Sequence, residues 1–580
     1  MTSQELSQEI KDTIRRLALE NALKFNGKAN PKALVGHLLK EHSDAKKNMP
    51  EVMKSISQIT NEVNTLLLDQ QKKELLILVP NYFEQQSEQK AARKEQRGEL
   101  PELPNAQMGK VVTRIPPEPS KYNHLGHAMS FLINYLYAKK YCGKAILRFD
   151  DTNPEKSSQE FVDAVFEDVV NFLEIKPDKI KYASDNMDYY YDCAQKLIAN
   201  NNAYICTCAQ DDIKTNRREK KECSHRNNSI EENQHLWEQM KAGSLDKGSH
   251  VLRLKIDMQH KNAVMRDPVI YRLSYTSHYR VGNQYKVWPM YDFETAIEEG
   301  RCGVTHVMRS NEFDQRIELQ NYIASLFGFP PITYKHYGRY NITGATTQGR
   351  EIRALIQTGD YLGWDDPRLV TICALRRRGI VKDAFYELAK SIGLSKTQTN
   401  LDFSKIAAVN RSLLDKTAKR FFAIKKPVLI TITNIPNDYV ACKVPFHAEV
   451  DLGVRTLSLQ TNEFYIEEKD NASVTVGQYL RLKDAMNIKK VADNEYEFVS
   501  KEYNDYKTLP TQKGIIQFVP KTGAEIITQV TLADISRQEL ICEPAVMQLK
   551  QGDVIQFERW AFCRCDTKTN EEITFWYGHD

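Results

Sequence analysis

The spacing of hydrophobic and polar positions changes along the chain, and each spacing predicts a different kind of element. In LALENALKF, residues 17–25, apolar side chains recur at nearly helical intervals, so we expect helices over roughly residues 1–90. The polar, charged and proline-marked stretch 85–105 predicts a linker. From Val428 onwards, short β-branched runs such as VLITIT and EYEFVS alternate with turn residues. That pattern predicts an all-β C-terminal part, as a sandwich or a barrel.

The middle of the chain alternates between the two spacings. GKVVTRI (109–115) and KAILRFD (144–150) are strand patterns, and LGHAMSFLINYLYAKKY between them has helical spacing. Strand, helix and strand within about 40 residues predict a βαβ unit with a parallel sheet. Residues 200–290 contain a cysteine cluster and alternating stretches, so we expect an insertion there. DDPRLVTICALRRRGI begins a region that we expect to be helical to about residue 415.

Length and charge narrow the class of protein. At typical domain sizes, 580 residues suggest about three to five domains. The net charge of +4 is only mildly basic, so any nucleic-acid surface must come from local patches. The chain has eleven cysteines, no apolar leader pattern and no apolar run long enough to cross a membrane. We therefore expect reduced thiols, a cytoplasmic location and no membrane partner.

The segment TRIPPEPSKYNHLGH, residues 113–127, follows a predicted strand and opens a predicted helix. Free N–H groups and the helix dipole at such a start favour a phosphate. His124 and His127 are three residues apart on one helical face, where two imidazole donors can stabilise charge on phosphorus. Gly126 leaves room for a flat base. The alternative is a proline-rich loop with two surface histidines, which is the commoner explanation of an isolated His-x-x-His.

This segment resembles the first signature of the class I aminoacyl-tRNA synthetases, in their glutamyl and glutaminyl branch. Five further segments are similar to that branch in its usual order, and the resemblance extends over roughly residues 105–580. The N-terminal helices and C-terminal strands are similar to those of the archaeal-type glutamyl enzymes. The five segments are RFDDTNPEK (148–156), VWPMYDFETAIEE (287–299), GVTHVMRSNEF (303–313), HYGRYNITG (336–344) and GWDDPRL (363–369).

The resemblance implies a multidomain α/β fold with a class I Rossmann-like catalytic domain in two halves. The implied boundaries are a helical N-terminal extension and linker (1–100), the catalytic halves (105–195 and 287–350), an α+β acceptor-stem-binding insertion (196–286), a helical connecting domain (351–425) and anticodon-binding β-barrels (426–580).

The resemblance also implies a reaction: activation of an amino acid with ATP, assisted by Mg²⁺, and its transfer to tRNA. Arg114, Asp150 and Tyr291 would hold the amino acid, Asp150 by charge on the α-ammonium and Arg114 by its forked donors on a carboxylate. For Asp150 and its neighbour Asp151 the alternative is a helix cap or a surface ion pair. The implied ATP contacts are Glu118, Pro119, Ser120, His124, Gly126, His127, Arg339 and Arg350, with His124 and His127 as the catalytic residues.

Arg309 indicates which amino acid is used, because glutaminyl relatives carry a neutral residue at this position. An arginine in a closed pocket would bind a γ-carboxylate and would match a neutral amide poorly, so we predict glutamate, with tRNA(Glu) as acceptor. A structural arginine in an ion pair is the alternative. Whether tRNA(Gln) is also charged stays open, as do protein partners, and a glutaminyl-tRNA ligase is the first rival function.

The second class I signature departs from its usual form. The matching stretch GATTQGREI, residues 344–352, contains no lysine for the ATP phosphates, and Arg350 is its only cation. This departure motivates a second rival function, a catalytically silent relative that binds tRNA.

Two further groups are candidates for binding. Cys206, Cys208, Cys223 and His225 match the ligand count of a closed tetrahedral zinc site, and the alternative is four residues scattered in a polar loop. The basic run Arg376, Arg377 and Arg378 is a candidate for binding tRNA phosphates, with a solvated face as the alternative. Trp364 and Arg368 are also predicted tRNA contacts, because GWDDPRL resembles the branch's connection to the tRNA stem region.

Overall fold

The computed structural model describes residues 6–84 and 100–580, apart from the side chains of Ser43 and Lys47. The chain forms two compact units, Met1–Glu99 and Leu100–Asp580. Across the described residues, no helix is both long enough and apolar enough to cross a membrane.

The first unit is helical, as its periodicity predicts. Its core is built from one stripe of each helix and includes Ile14, Leu38, Val52, Ile56 and Leu75, all buried. Side-chain oxygens of Ser7 and Asn30 cap the first two helices, which fixes where they begin. The helices are α1 (Gln8–Lys24), α2 (Pro31–Glu41), α3 (Met49–Thr65) and α4 (Leu68–Leu78).

The second unit begins with the predicted βαβ arrangement. Strands β1 (Val112–Ile115), β2 (Lys144–Phe149) and β3 (Lys179–Tyr182) form a parallel sheet in that order, and α5 (Leu125–Lys140) connects the first two. Thr305 donates its backbone N–H to the Val112 carbonyl at 3.0 Å, which places β8 (His306–Ser310) beside β1. β8 in turn runs parallel to β9 (Thr333–Tyr337). The Rossmann-like prediction is therefore confirmed.

An antiparallel sheet lies between β3 and β8 in chain order. It comprises β4 (Ala203–Cys206), β5 (Val251–Leu254), β6 (Val269–Leu273) and β7 (Val287–Pro289). Trp237 and Trp288 are buried against it. Since β7 pairs with β6, this sheet continues a few residues beyond the predicted insertion boundary at 286. Helix α6 (Gln159–Val165) packs with the parallel sheet through Val162 and Val165. The helices around the antiparallel sheet are α7 (Met187–Ala199), α8 (Gln210–Glu219), α9 (Ile230–Ala242), α10 (Tyr291–Arg301) and α11 (Ile317–Leu326).

The predicted helical region is present and ends at Leu414, but one short strand interrupts it. Strand β11 (Thr399–Leu401) pairs in parallel with β10 (Tyr340–Ile342), which ties the helices back to the catalytic region. Pattern analysis missed this strand because three residues are too few to show a period. The helices are α12 (Gly349–Gln357), α13 (Ile372–Arg377), α14 (Lys382–Ile392) and α15 (Phe403–Leu414).

The C-terminal region contains two seven-stranded sheets, and each curls round its own core. One sheet has β12 (Arg420–Phe421) and β13 (Ala423–Ile424) as its edges, so a single residue separates the two edges. The other has the nearly consecutive β21 (Gln512–Ile516) and β22 (Val519–Pro520) as its edges. Because the edges adjoin in sequence, both sheets are nearly closed, in agreement with the predicted β-barrels.

The remaining C-terminal elements complete these sheets, except for the separate hairpin β15–β16. They are β14 (Pro427–Thr433), β15 (Ala441–Pro445), β16 (Val454–Ser458), β17 (Glu463–Glu467), β18 (Tyr479–Leu482), β19 (Asn487–Ala492), β20 (Glu495–Ser500), β23 (Ile526–Thr531), β24 (Arg537–Cys542), β25 (Val554–Phe557), β26 (Ala561–Lys568) and β27 (Ile573–His579), with two short helices, α16 (Glu468–Ala472) and α17 (Tyr503–Thr508).

Candidate active site

A cavity of about 600 Å³ opens where β1 ends and α5 begins. This is the edge of a parallel sheet at which ligands usually bind, because strand ends and helix starts meet there. The chain enters α5 in a fixed position, since Leu125 donates its N–H to the Val370 carbonyl at 2.9 Å. Eight of the residues predicted for ATP or amino acid line the cavity: Arg114, His124, Gly126, His127, Asp150, Tyr291, Arg309 and Arg339.

The two histidines form the start of α5. His124 is the N-cap residue, and its Nδ1 accepts the Gly126 backbone N–H at 3.1 Å. The His127 Nδ1 accepts the His124 backbone N–H at 3.2 Å, and the two ring centroids lie 3.8 Å apart. Each histidine therefore satisfies one orphan donor of the helix start, as capping side chains do. The surface-histidine interpretation is thereby ruled out.

These hydrogen bonds also define the protonation state. Burial, followed by the charge of Lys121, lowers the pKa of His124 to about 3. Burial also lowers the pKa of His127 well below its usual range, and the charges of His124 and Lys121 add to this effect. Both rings are therefore neutral at physiological pH and carry a single proton. Because Nδ1 accepts a hydrogen bond in each ring, that proton must be on Nε2. The site thus holds two neutral Nε2–H donors.

Gly126 is required by the same arrangement. A Cβ at this position would lie 3.0 Å from the His124 Cε1 atom and 3.2 Å from its Nδ1. A Cβ there would press on the His124 ring, which would have to shift by a few tenths of an ångström. The glycine therefore keeps the histidine pair in place, in addition to leaving space for a ligand.

Two charged side chains of the cavity wall are each held by a buried partner of opposite charge. Arg114 is buried, and its Nε lies 2.8 Å from the Glu299 Oε1. Asp150 accepts from the Arg148 Nε at 2.6 Å and from its NH2 at 3.0 Å. Asp150 therefore faces the cavity and is also ion-paired. The neighbouring Asp151 does not line the cavity and instead accepts from Ser184 at 2.8 Å.

Arg309 projects into the cavity with only neutral partners. Its Nε donates to the His336 Nε2 at 3.1 Å and its NH2 to the Gln320 Oε1 at 2.8 Å. Its NH1 is buried and has no hydrogen-bond partner. No carboxylate of the described chain lies within ion-pairing distance of this guanidinium. The ion-pair interpretation of Arg309 is therefore wrong, and its charge remains available to a ligand.

Tyr291 and Arg339 are nearer to solvent. Tyr291 is the first residue of α10, is 38% exposed and lies 5.7 Å from the Phe313 ring, between ring centroids. The Arg339 guanidinium lies 3.8 Å from the Glu312 carboxylate, and its side chain is 64% exposed. Arg339 therefore stands at the mouth of the cavity, where it can move towards a ligand.

Four predicted ATP contacts do not line the cavity. Glu118 and Arg350 are exposed. Pro119 and Ser120 are buried with structural roles, since their carbonyls accept from the Ser158 N–H at 3.2 Å and from the Arg353 NH2 at 2.8 Å. Arg350 is the second residue of α12 and lies outside the cavity, so this predicted phosphate cation is not brought together with the other ATP contacts.

Comparison with known proteins identifies the family. Residues 110–416 match the model of tRNA synthetases class I (E and Q), catalytic domain, and residues 418–504 and 491–566 match two anti-codon binding domain models of the same group. This chain belongs to the class I (E and Q) tRNA synthetases.

Full-length relatives of this synthetase chain are known. It is 38% identical to a glutamate–tRNA ligase of Pyrococcus furiosus, over 98% of this chain and 100% of that protein. It is 37% identical to a glutamate–tRNA ligase of Nitrosopumilus maritimus, with the same coverage. A solved glutamate tRNA ligase from Elizabethkingia meningosepticum is more distant, with 18% identity, a TM-score of 0.37, and coverage of 53% of this chain and 70% of its own.

Other residues of the synthetase cavity were missed in the sequence. Lys121 and Thr295 line it, while His336 and Gln320 hold Arg309 from behind. Lys121 stands inside the first signature, so its position beside a phosphate-favouring helix start was an available signal. Gln320 had none, because its role depends on the packing of α11 against β8.

The four predicted metal ligands come together in the insertion. The Cys206 and Cys223 sulfurs lie 3.8 Å apart, and the Cys208 sulfur lies 3.5 Å from the His225 Nδ1. All four ligand atoms lie within 4.8 Å of one another. The Thr207 hydroxyl lies 2.8 Å from the His225 Nε2, which leaves Nδ1 directed at the cluster. The scattered-loop interpretation is therefore excluded.

The predicted RNA contacts are mostly engaged within the protein. Arg378 is buried, and its NH2 donates to the Gly578 carbonyl at 2.8 Å, so it has no surface to offer a phosphate. This part of the basic-patch prediction is wrong, because the patch lies against the C-terminal barrel. The other three arginines form ion pairs within the protein: Arg376 with Glu167, Arg377 with Asp365 and Asp566, and Arg368 with Asp366. Trp364 stacks on Tyr122, with 5.0 Å between the ring centroids.

Proposed function

We propose that this chain is a glutamate–tRNA ligase. Glutamate and ATP react to give glutamyl-adenylate and pyrophosphate, and the glutamyl group then passes to the 3′-terminal ribose hydroxyl of tRNA(Glu). The observation that carries the choice of glutamate is the Arg309 guanidinium, which is buried in the cavity wall without a carboxylate partner. Relatives that align with this chain over their whole length are named glutamate–tRNA ligases, which supports the proposal.

Arg309 gives selectivity through the energy of an unpaired charge. A γ-carboxylate would satisfy the free NH1 with a charge-assisted hydrogen bond, whereas a γ-amide offers only a neutral oxygen. Losing one buried charged hydrogen bond costs about 1.5–3 kcal/mol, which corresponds to one to two decades in selectivity. Because His336 and Gln320 already hold two of the guanidinium nitrogens, the third is fixed in direction.

The histidine pair supports chemistry at phosphorus. When the α-carboxylate attacks the α-phosphate of ATP, negative charge accumulates on the non-bridging oxygens. Two neutral Nε2–H donors and the free N–H groups of α5 are positioned in advance to stabilise that charge. No side-chain nucleophile is required, so catalysis depends on positioning and electrostatics.

The remaining cavity residues bind the substrates. Asp150 would accept the α-ammonium of glutamate, with Tyr291 beside it. Arg114 would direct its free guanidinium nitrogens at a carboxylate while Glu299 holds its Nε. Arg339 would close over ATP at the mouth of the cavity. The family uses ATP with Mg²⁺, which would neutralise phosphate charge in addition to these side chains.

The cysteine–histidine cluster would hold a structural zinc ion. Tetrahedral ligands at zinc bond lengths lie about 3.8 Å apart for two sulfurs and about 3.5 Å apart for sulfur and nitrogen. The distances of 3.8 Å and 3.5 Å observed for Cys206–Cys223 and Cys208–His225 fit these values. With four protein ligands no position is left for a substrate, so the ion would stabilise the insertion.

Transfer requires tRNA, which the C-terminal barrels would bind at its anticodon. Arg368, Arg376 and Arg377 keep partly exposed side chains, and their ion pairs would exchange for phosphates. Trp364 would support the acceptor-stem side through its stack on Tyr122. Arg378 is not included.

ATP–pyrophosphate exchange in the presence of tRNA tests this proposal. We expect exchange that depends on glutamate and is at least tenfold weaker with glutamine. Exchange with glutamine alone would support the glutaminyl rival, and no exchange with either amino acid would support a silent tRNA-binding relative. Including tRNA is essential, because this branch generally requires it for activation.

A further inference from the structure

The second signature provides no lysine for the ATP phosphates, so another cation in the cavity would have to bind them. Within residues 6–84 and 100–580, four cationic side chains line the cavity: Arg114, Lys121, Arg309 and Arg339. Arg114 is held by Glu299, and Arg309 is held by His336 and Gln320 on the amino-acid side. Arg339 lies at the mouth beside Glu312. Lys121 is the one of these four cations that no carboxylate or side-chain hydrogen bond holds.

Lys121 is half-buried and has no acidic partner. Its Nζ makes one hydrogen bond, to the Thr347 carbonyl at 3.5 Å, and no carboxylate of the described residues lies within ion-pairing distance. Burial lowers the pKa of Lys121; the charge of Glu118 opposes this effect and that of Lys156 adds to it, but no carboxylate forms an ion pair with the ammonium. A phosphate in the cavity would supply a directly paired negative charge.

The same lysine adjoins the second signature. A Cβ at Gly349 would lie 3.2 Å from the Lys121 Cβ and 3.3 Å from its Cδ, so the lysine stem lies against that loop. Arg353 of α12 donates to the Ser120 carbonyl at 2.8 Å, next to Lys121. Lys121 therefore contacts the second signature segment at Thr347 and Gly349, and Arg353, one residue beyond that segment, holds the neighbouring carbonyl.

We propose that Lys121 contacts the phosphates of ATP and provides the positive charge that the lysine-free GATTQGREI segment lacks. This inference rests on the proposed adenylation and assigns a phosphate-binding residue for it. The charge is thereby placed at a capped helix start, beside the Nε2–H donors of His124 and His127, instead of on the second-signature loop. Lysine suits this role because its ammonium is a compact charge on a flexible stem.

Full-length Lys121→Met tests the proposal, because methionine retains the packing of the aliphatic stem and removes the charge. In the ATP–pyrophosphate exchange assay with glutamate and tRNA, we expect kcat/KM for ATP to fall about 10²- to 10³-fold, which is the usual effect of losing one transition-state donor. Lys121→Arg should recover part of the loss. Lys156→Met is the matched control, since Lys156 is exposed, near Lys121 and outside the cavity.

Direct binding separates a phosphate contact from a structural role. By calorimetry, Lys121→Met should weaken Mg·ATP at least tenfold and leave adenosine unchanged, because adenosine has no phosphate. Equal weakening of both ligands, or ATP kinetics equal to those of Lys156→Met, would overturn the proposal. Loss of ATP binding in Arg350→Gln but not in Lys121→Met would assign the charge to the loop instead. These binding results hold even if glutamate gives no exchange, an outcome that would count against the proposed function alone.

Discussion

At the start of α5, His124 and His127 use their Nδ1 atoms to cap the helix, so their Nε2 protons face the cavity. Asparagine keeps an acceptor near the Nδ1 position but lacks the outer donor, and glutamine reaches further. We therefore expect His127→Asn to lower kcat for exchange about 10²- to 10³-fold and His127→Gln to recover part of the loss. Equal losses in both variants would point to a purely structural histidine.

The pH dependence of that loss follows from the lowered pKa values. With the pKa of His124 at about 3 and that of His127 also well below its usual range, both rings stay neutral between pH 5.5 and 7.5. The ratio of wild-type to His127→Asn rates should then be constant across this range. If the rings instead kept a pKa of about 6.5, protonation would strengthen their donors in acid, and the ratio would rise as the pH falls.

The proposed selectivity for glutamate over glutamine depends on the guanidinium group of Arg309. Replacing Arg309 with glutamine should reduce the preference for glutamate over glutamine, measured as the ratio of kcat/KM values, by about 10- to 100-fold. Arg301→Gln is a suitable control, since Arg301 is exposed on α10 and does not line the cavity. A preference unchanged by Arg309→Gln would mean that another group recognises the γ-carboxylate.

Site residues could be predicted from the sequence where they belong to a recognisable motif. They could not be predicted where their position depends on tertiary packing. His124, His127 and Arg309 were predicted, and all three line one cavity. Arg350 was misplaced because a helix face cannot be read from a degenerate loop. Arg378 was misplaced because only the tertiary structure buries it against the Gly578 carbonyl. Local chemistry is thus visible in the sequence, whereas a side chain's neighbours across the fold are not.

Among elements, we expect the insertion to depend on its cysteine–histidine cluster, which would join β4 to the short 3-10 turn Ser224–Asn227. Purified protein should contain one zinc ion per chain, measured by elemental analysis. Cys208→Ser should lose most of the zinc and destabilise the insertion, because zinc binding and local folding are coupled. Cys142→Ser is the control, an exposed cysteine outside the cluster. Full zinc content in Cys208→Ser would contradict the assignment.

The long helices and strands agree with the elements predicted from the sequence pattern. The βαβ unit and the β-rich C-terminus were predicted from period and β-branching. The short strand β11 was not, since its pairing with β10 is a tertiary contact. Barrel closure was also beyond pattern analysis, because it depends on which strands become edges, and here those edges are β12 with β13 and β21 with β22.

At the scale of the molecule, the activation site is contained in the second unit. Every cavity residue lies between Arg114 and Gln348, and the core of the first unit is built only from its own helices. A chain shortened to residues 100–580 should therefore fold and retain glutamate-dependent exchange, with kcat/KM for glutamate within a few-fold of the full chain. A folded but inactive 100–580 chain would assign an activation role to the N-terminal helices.

The central claim is that this chain attaches glutamate to tRNA. Charging of purified tRNA(Glu) with labelled glutamate or glutamine, in parallel with tRNA(Gln), tests it most directly. We expect glutamate on tRNA(Glu), in a reaction that requires ATP, while tRNA(Gln) shows whether a second acceptor is used. Charging with glutamine, or no charging of tRNA(Glu) by a protein that binds both ATP and tRNA, would contradict the account.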